Sequence, residues 1–254
     1  MLIMNVELVE TSHSSEEAHR QTFSLSEFRR GVTHMSPVLA ATLAFGVVFG
    51  AQAREKGFSF LEVPLLTATN FAGGSEFAVI GLWNSPPPIL LIVAVTFLVN
   101  SRHLIMGAAL APFIRHLSRR KALATLYFMA DESWAFSLAD MEKRLSEGRR
   151  PGFSLGYFLG CGISLYLGWV VTTTLGAAIG PVLGDINALG LDMAFPAVFL
   201  VLLAGMWKGP RAATPWLVSL VVAASTYLLL PGAWYVVAGT ASGLVASALW
   251  VKSA

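Results

Sequence analysis

Polar and ionisable side chains stand inside membrane-length apolar stretches at three places in this chain. Asn100-Ser101-Arg102-His103 lies between ILLIVAVTFLV and LIMGAALAPFI, and Asp131-Glu132 lies within ALATLYFMADESWAFSLA. Phe71-Ala72-Gly73-Gly74-Ser75-Glu76 joins a glycine pair to an acid. A charged group near the bilayer centre costs about 2.5–3.5 kcal/mol on insertion scales, so such groups face a cavity or a partner and commonly serve transport. The chemistry these residues suit is the binding of a small charged solute together with uptake and release of a proton.

Each cluster has its own reading. Gly73-Gly74 would break a helix, and Ser75 would cap the half-helix that follows. Exposed backbone N–H groups at such an end favour an anion, for example an amino-acid carboxylate. Glu76 falls in the first turn of that half-helix, where the helix dipole and desolvation act on its proton in opposite senses. The plainer reading is a kinked helix whose Glu76 pairs with Arg102. Asn100, His103 and Gly107 share a face if the helix is continuous, with Arg102 turned away toward Glu76 or the acid pair. Two ionised carboxylates at Asp131-Glu132 facing lipid would cost about 5–7 kcal/mol. Adjacent residues point different ways on a helix, so a local break is expected there too. The substrate-binding candidates are Gly73, Gly74, Ser75, Glu76, Asn100, Arg102 and His103. The proton-coupling candidates are Glu76, His103, Asp131 and Glu132. Asp192, at the start of an apolar stretch, reads as an ordinary helix cap. The sole cysteine, Cys161, excludes an intrachain disulfide and reads as a small packing residue.

The elements that must hold these groups are helices crossing a bilayer. The chain has 254 residues, 55% hydrophobic and 13% charged, against about 25% charged in soluble domains. Its net charge of +2 says little by itself, and nothing points to nucleic acid. The apolar stretches are Pro37–Ala53, Phe60–Trp83, Pro87–Ile114, Ala122–Ala139, Phe153–Ile179, Ala194–Trp207, Ala212–Leu230 and Ala233–Val251. They are continuously apolar rather than alternating, which excludes a membrane β-barrel. The expected fold is all-α, a polytopic transmembrane bundle of six to eight membrane segments. Residues 1–34 read as a polar cytoplasmic tail with an amphipathic piece around Phe23 to Phe28, and residues 35–254 as one transmembrane domain. No internal repeat stands out. Glycines four apart (Gly46 and Gly50, Gly156 and Gly160, Gly176 and Gly180, Gly239 and Gly243) let helix backbones approach closely, within the chain rather than as a dimer code.

Basic residues set the orientation. They gather at Arg29-Arg30, at Arg115 to Lys121, at Lys143 to Arg150, and at Lys208 and Arg211. The positive-inside rule assigns all of them, and the N-terminus, to the cytoplasm. Eight plain spans would place Arg115–Lys121 outside. The conflict disappears if Phe60–Trp83 and Ala122–Ala139 each enter the membrane and return on the same side, broken near Gly73-Gly74 and Asp131-Glu132, as transporter segments that line a cavity do. An ordinary helix with a basic outer loop remains the alternative.

Taken together, GVVFGAQAREKGFSFLE, FAGGSEFAVIGL, NSRHLIMGAALAPFI, ADESWAF and LDMAFPAVFLVLL resemble, in order from Gly46 to Leu203, the AzlC-type branched-chain amino-acid permeases (the large subunit of the azaleucine-resistance exporter). The resemblance implies export of valine, leucine or isoleucine across the bacterial inner membrane, together with a separate small AzlD-type membrane subunit; a higher oligomer is left open. It also marks two departures. Glu76 stands where an amide is typical in the family, and Ser101 stands within a block that usually reads Asn-Leu-Arg-His. The acid would favour a cationic solute or strengthen proton coupling. No metal spacing such as HExxH and no GxSxG occurs, so neither a cofactor nor a metal is expected, and the chain does not read as an enzyme. Rival readings are a transporter of another small amino acid or organic cation, a channel or scaffold, and an intramembrane enzyme using Glu76, His103, Asp131 and Glu132.

Overall fold

The computed structural model describes residues 23–147, 153–183, 213–232 and 234–251, with isolated positions between 190 and 210. Every regular element among them is a helix: α1 (Leu25–Glu55), α2 (Glu62–Asn70), α3 (Gly73–Leu82), α4 (Ile89–Asn100), α5 (Arg102–Ile114), α6 (Arg119–Tyr127), α7 (Asp131–Ser146), α8 (Leu155–Leu183), α9 (Thr214–Leu229) and α10 (Trp234–Val251). Three stretches among the described residues are long and apolar enough to cross a membrane: Leu25–Glu55, Ile89–Ile114 and Leu155–Val182. Thr214–Leu229 and Trp234–Leu249 are shorter apolar helices. The expected stretch Ala194–Trp207 and the cap at Asp192 lie largely outside the described residues.

Local sequence explains the helix ends. Ser24 and Ser154 accept the N–H groups of Glu27 and Tyr157 through their hydroxyls, at 3.5 and 3.2 Å, as N-caps of α1 and α8. Ser59 and Glu62 exchange reciprocal bonds, Ser59 N–H to Glu62 at 2.6 Å and Glu62 N–H to the Ser59 hydroxyl at 3.2 Å. This is a capping box that starts the turn leading into α2. α1 stops at Gly57, whose φ of +92° a side chain would resist. α1 therefore begins at Leu25 and runs through the expected tail boundary at residue 34. The amphipathic piece near Phe28 is its first turn rather than a separate segment.

The chain divides into two compact units. One comprises residues up to Leu43 with His103–Trp169. Its core is Met106, Leu110 and Ile114 of α5 with Met129, Phe153 and Phe158. In it α1 and α8 meet through small residues. A Cβ on Gly156 or Gly160 would overlap the backbone at Ser24 or Phe28, and one on Gly31 the Tyr157 carbonyl. The second unit comprises Ala44–Arg102 and the chain from Val170 onward. There a Cβ on Gly50 would strike the Thr173 carbonyl, and one on Gly176 the Val47 carbonyl. Phe49 meets Phe77 edge-on, α3 packs on α4, and α9 and α10 form a hairpin in which Gly239 and Gly243 face Ser219. The glycine pairs act as expected, in packing within the chain.

In both units the residue numbers of α1 and α8 rise together across the contact, Ser24 against Gly156 and Phe28 against Gly160 in one, Val47 against Gly176 and Ala51 against Gly180 in the other. The two helices are parallel. A second regularity is a repeated helix–break–helix. α2 and α6 each have nine residues, each is followed by a phenylalanine (Phe71, Phe128), and each break opens into a new helix with an acid in its first turn. The sequence alone did not bring this likeness forward.

Candidate functional site

The break between α2 and α3 is built by Phe71. It closes α2 in the left-handed conformation, φ 46° and ψ 48°, with its N–H bonded to the Thr67 carbonyl at 3.1 Å. A non-glycine residue there costs about 1–2 kcal/mol, and burial of the Phe71 ring, 7% exposed, offsets part of it. Ala72 follows with non-helical dihedrals, φ −143° and ψ 70°, and Gly73 opens α3. The break therefore falls just before the glycine pair, which forms the first turn of the new helix. Ser75 is not the cap: its hydroxyl donates to the Ala72 carbonyl at 2.9 Å.

Glu76 takes that role. It is 1% exposed, and its carboxylate accepts the Ala72 N–H at 3.0 Å and the Asn70 side-chain N–H at 3.2 Å. Asn70 also reaches the Ser75 hydroxyl at 3.3 Å. The carboxylate lies at the positive end of α3 and satisfies the N–H group that the break orphans. One turn before Asn70 on α2, the hydroxyl of Thr67 lies 3.1 Å from that of Thr173 on α8, both residues fully buried. The result is a polar seam through an apolar unit: Thr173, Thr67, Asn70, Ser75 and Glu76. Sequence reasoning missed Asn70, Thr67 and Thr173. Asn70 directly precedes the glycine block and was the one with a local signal.

Asn100 and Arg102 belong to the same unit as this seam. Asn100 ends α4 and Arg102 begins α5, with Ser101 between them donating its hydroxyl to the Leu98 carbonyl at 2.7 Å. The hydrogen-bond pattern is interrupted only at Ser101, whose backbone stays right-handed helical at φ −56° and ψ −25°, so α4 and α5 continue one another in a single apolar span, Ile89–Ile114. His103, Asp131 and Glu132 belong to the other unit.

Asp131 and Glu132 open α7. The break lies just before them at Phe128-Met129-Ala130. Ser133, fully buried, accepts the Ala130 N–H at 2.9 Å. The acids stand in a first turn, where the helix dipole favours negative charge. Their cost is accordingly below that of a pair in mid-helix.

The same unit holds a charge network absent from the sequence reading. The Arg30 guanidinium meets Asp140 at 2.6 and 2.9 Å and Glu27 at 2.6 Å, and lies 4.2 Å above the Tyr157 ring. Arg144 meets Asp140 at 2.9 Å and also bonds Glu27. Burial pushes the Asp140 carboxyl up, but the Arg30 hydrogen bond and the charges of Arg144 and Arg30 outweigh it and hold it below the usual aspartate range. Among the described residues, no three His, Cys, Asp or Glu side chains gather as metal ligands would.

The family described as AzlC protein matches residues 37–183, which include both breaks and the apolar span Ile89–Ile114. An Archaeoglobus fulgidus protein described as an uncharacterized membrane protein is 30% identical over 185 residues, 72% of this chain and 77% of that one. A Haemophilus influenzae protein of the same description is 26% identical over 212 residues, 82% of each chain. The Bacillus subtilis protein described as branched-chain amino acid transport protein AzlC is 26% identical over 218 residues, 83% of this chain and 80% of that one. No solved structure matches the chain.

Proposed function

This chain belongs to the AzlC family, and from that premise we propose that it is an inner-membrane secondary transporter that exports branched-chain amino acids together with a small, separately encoded AzlD-type membrane subunit. One observation carries the substrate class: the match along most of both chains to the Bacillus subtilis branched-chain amino acid transport protein. Transport rather than catalysis follows from the same relationship.

The α2–α3 break is the proposed substrate end, with Gly73, Gly74, Ser75 and Glu76 contributed by the break, and Asn100 and Arg102, which belong to the same unit, by the apolar span. The substrate carboxylate would meet backbone N–H groups of the break or Arg102. Its ammonium would meet Glu76. Because Glu76 already accepts the Ala72 N–H, a substrate carboxylate seeking that donor competes with it, and a proton on Glu76 weakens the competitor. Glu76, His103, Asp131 and Glu132 are the proposed proton carriers. A proton drives the cycle only if the two conformations bind it unequally.

The orientation follows from the same reading. Parallel α1 and α8 require an odd number of crossings between Glu55 and Leu155. Ile89–Ile114 supplies one, so the two broken segments either both cross or both return. Returning keeps Arg115–Lys121 in the cytoplasm with the N-terminus. α2 and α3, of nine and ten residues, each reach about 15 Å, half of a hydrocarbon core of about 30 Å, as a segment that enters and returns needs.

The experiment is efflux of labelled leucine from preloaded cells over a range of external pH, for the native protein and Glu76→Gln. The native protein should show pH-dependent efflux, and the variant should lose most of that dependence. Efflux in the variant with its full pH response removes Glu76 from the coupling.

A further inference from the structure

We propose that Arg115, His116, Arg119, Arg120 and Lys121, with the outward face of α6, form a binding surface for the phosphate headgroups of anionic phospholipids. The charges begin where the apolar span Ile89–Ile114 ends, which sets them at a membrane surface. Arg115, His116, Arg119, Arg120 and Lys121 are all exposed. No salt bridge to an acid is made by Arg115, Arg119, Arg120 or Lys121 among the described residues. Arg119, Arg120 and Lys121 occupy the first turn of α6, which carries no acid. Cations there stand against the helix dipole as well as against one another, and an external anion relieves both repulsions.

The same helix shows what carries that anion. Leu123 is 69% exposed and Tyr127 41%, four residues apart and so on one face. An apolar flank turned outward beside a basic foot suits an acyl chain and its headgroup better than a soluble anion. Clusters of this kind next to a span attract anionic lipid, with each basic residue worth about fivefold in affinity near the surface. The competing occupant within the chain is the N-terminal stretch that carries Glu7, Glu10, Glu16 and Glu17.

The test uses the full-length protein in neutral detergent. Its thermal unfolding is followed during titration with phosphatidylglycerol, phosphatidylcholine or inorganic phosphate, with readouts of midpoint and apparent affinity. Phosphatidylglycerol should stabilise saturably and less so in high salt. The combined R119Q, R120Q and K121Q substitutions should weaken its apparent affinity by at least about tenfold, while R119K with R120K should leave it within about twofold. K121Q alone, which removes a single exposed charge, should give an intermediate loss. Equal affinity in the native protein and the glutamine variants overturns the proposal, as does an equal response to phosphatidylcholine. Full reproduction by inorganic phosphate would mark a free-anion site instead. A tenfold gain in lipid affinity on deleting residues 1–22 would make the acidic stretch the native occupant, and would equally overturn it.

Discussion

Glu76 and Asp140 are both carboxylates buried against apolar helices, and their surroundings separate their roles. Asp140 is held by two guanidinium groups, and such a group stabilises a structure. Charge-assisted hydrogen bonds of this kind contribute about 1.5–3 kcal/mol each, and removing one partner leaves the arginines short of a counter-charge. Asp140→Asn should therefore lower the unfolding midpoint in detergent by several degrees without abolishing transport. The pH response has a definite sign. A carboxyl held below its usual range stabilises the fold above about pH 4, the unfolded value, and loses that contribution as pH falls through its folded value. The native protein should lose stability on acidification below about pH 4 more steeply than the variant, measured by thermal unfolding from pH 3 to 7. Parallel curves would remove Asp140 as the source. Glu76 instead accepts from a backbone N–H and an amide at a helix break, where a change of protonation state alters which donors remain for a ligand.

At the scale of elements, the sequence reading located the irregular segments but not their geometry. Gly73-Gly74 and Asp131-Glu132 flagged both breaks because glycine pairs and adjacent charges sit badly inside an apolar helix. The turns themselves fall at Phe71 and at Phe128-Met129-Ala130, just before those flags. Nothing in a phenylalanine predicts a left-handed residue; its burial in the folded unit selects it. The apolar runs on both sides of Ser101 read as one span, and the helix continues through it. The network of Arg30 with Asp140 was hidden for another reason: these two are 110 positions apart, and only the Glu27–Arg30 and Asp140–Arg144 pairs have helical spacing. By contrast, the capping box at Ser59-Glu62 and the close-approach glycines are local patterns and were open to reading. The element most in need of a test is the broken segment. With Cys161 replaced by Ala, single cysteines at Asn84 and His116 should label from opposite sides in intact cells, Asn84 from outside and His116 only after permeabilisation. The reverse pattern would mean that both broken segments cross the membrane fully.

At the scale of the whole molecule, each unit holds a parallel stretch of α1 and α8 beside one helix–break–helix segment that begins with a nine-residue helix. Discontinuous helices of this sort build transporter sites because their ends offer backbone donors and acceptors at membrane depth without exposing them to lipid. The AzlC family match covers residues 37–183 and so includes both segments. The central claim is that this machinery moves branched-chain amino acids outward at the expense of a proton gradient. The decisive measurement is flux of labelled valine, leucine and isoleucine in proteoliposomes of defined orientation, with and without the small membrane subunit and an imposed pH gradient. Movement against the amino-acid gradient that needs both the subunit and the pH gradient is the expected result. Absence of flux for all three under every condition, or equilibration that ignores the pH gradient, would contradict it.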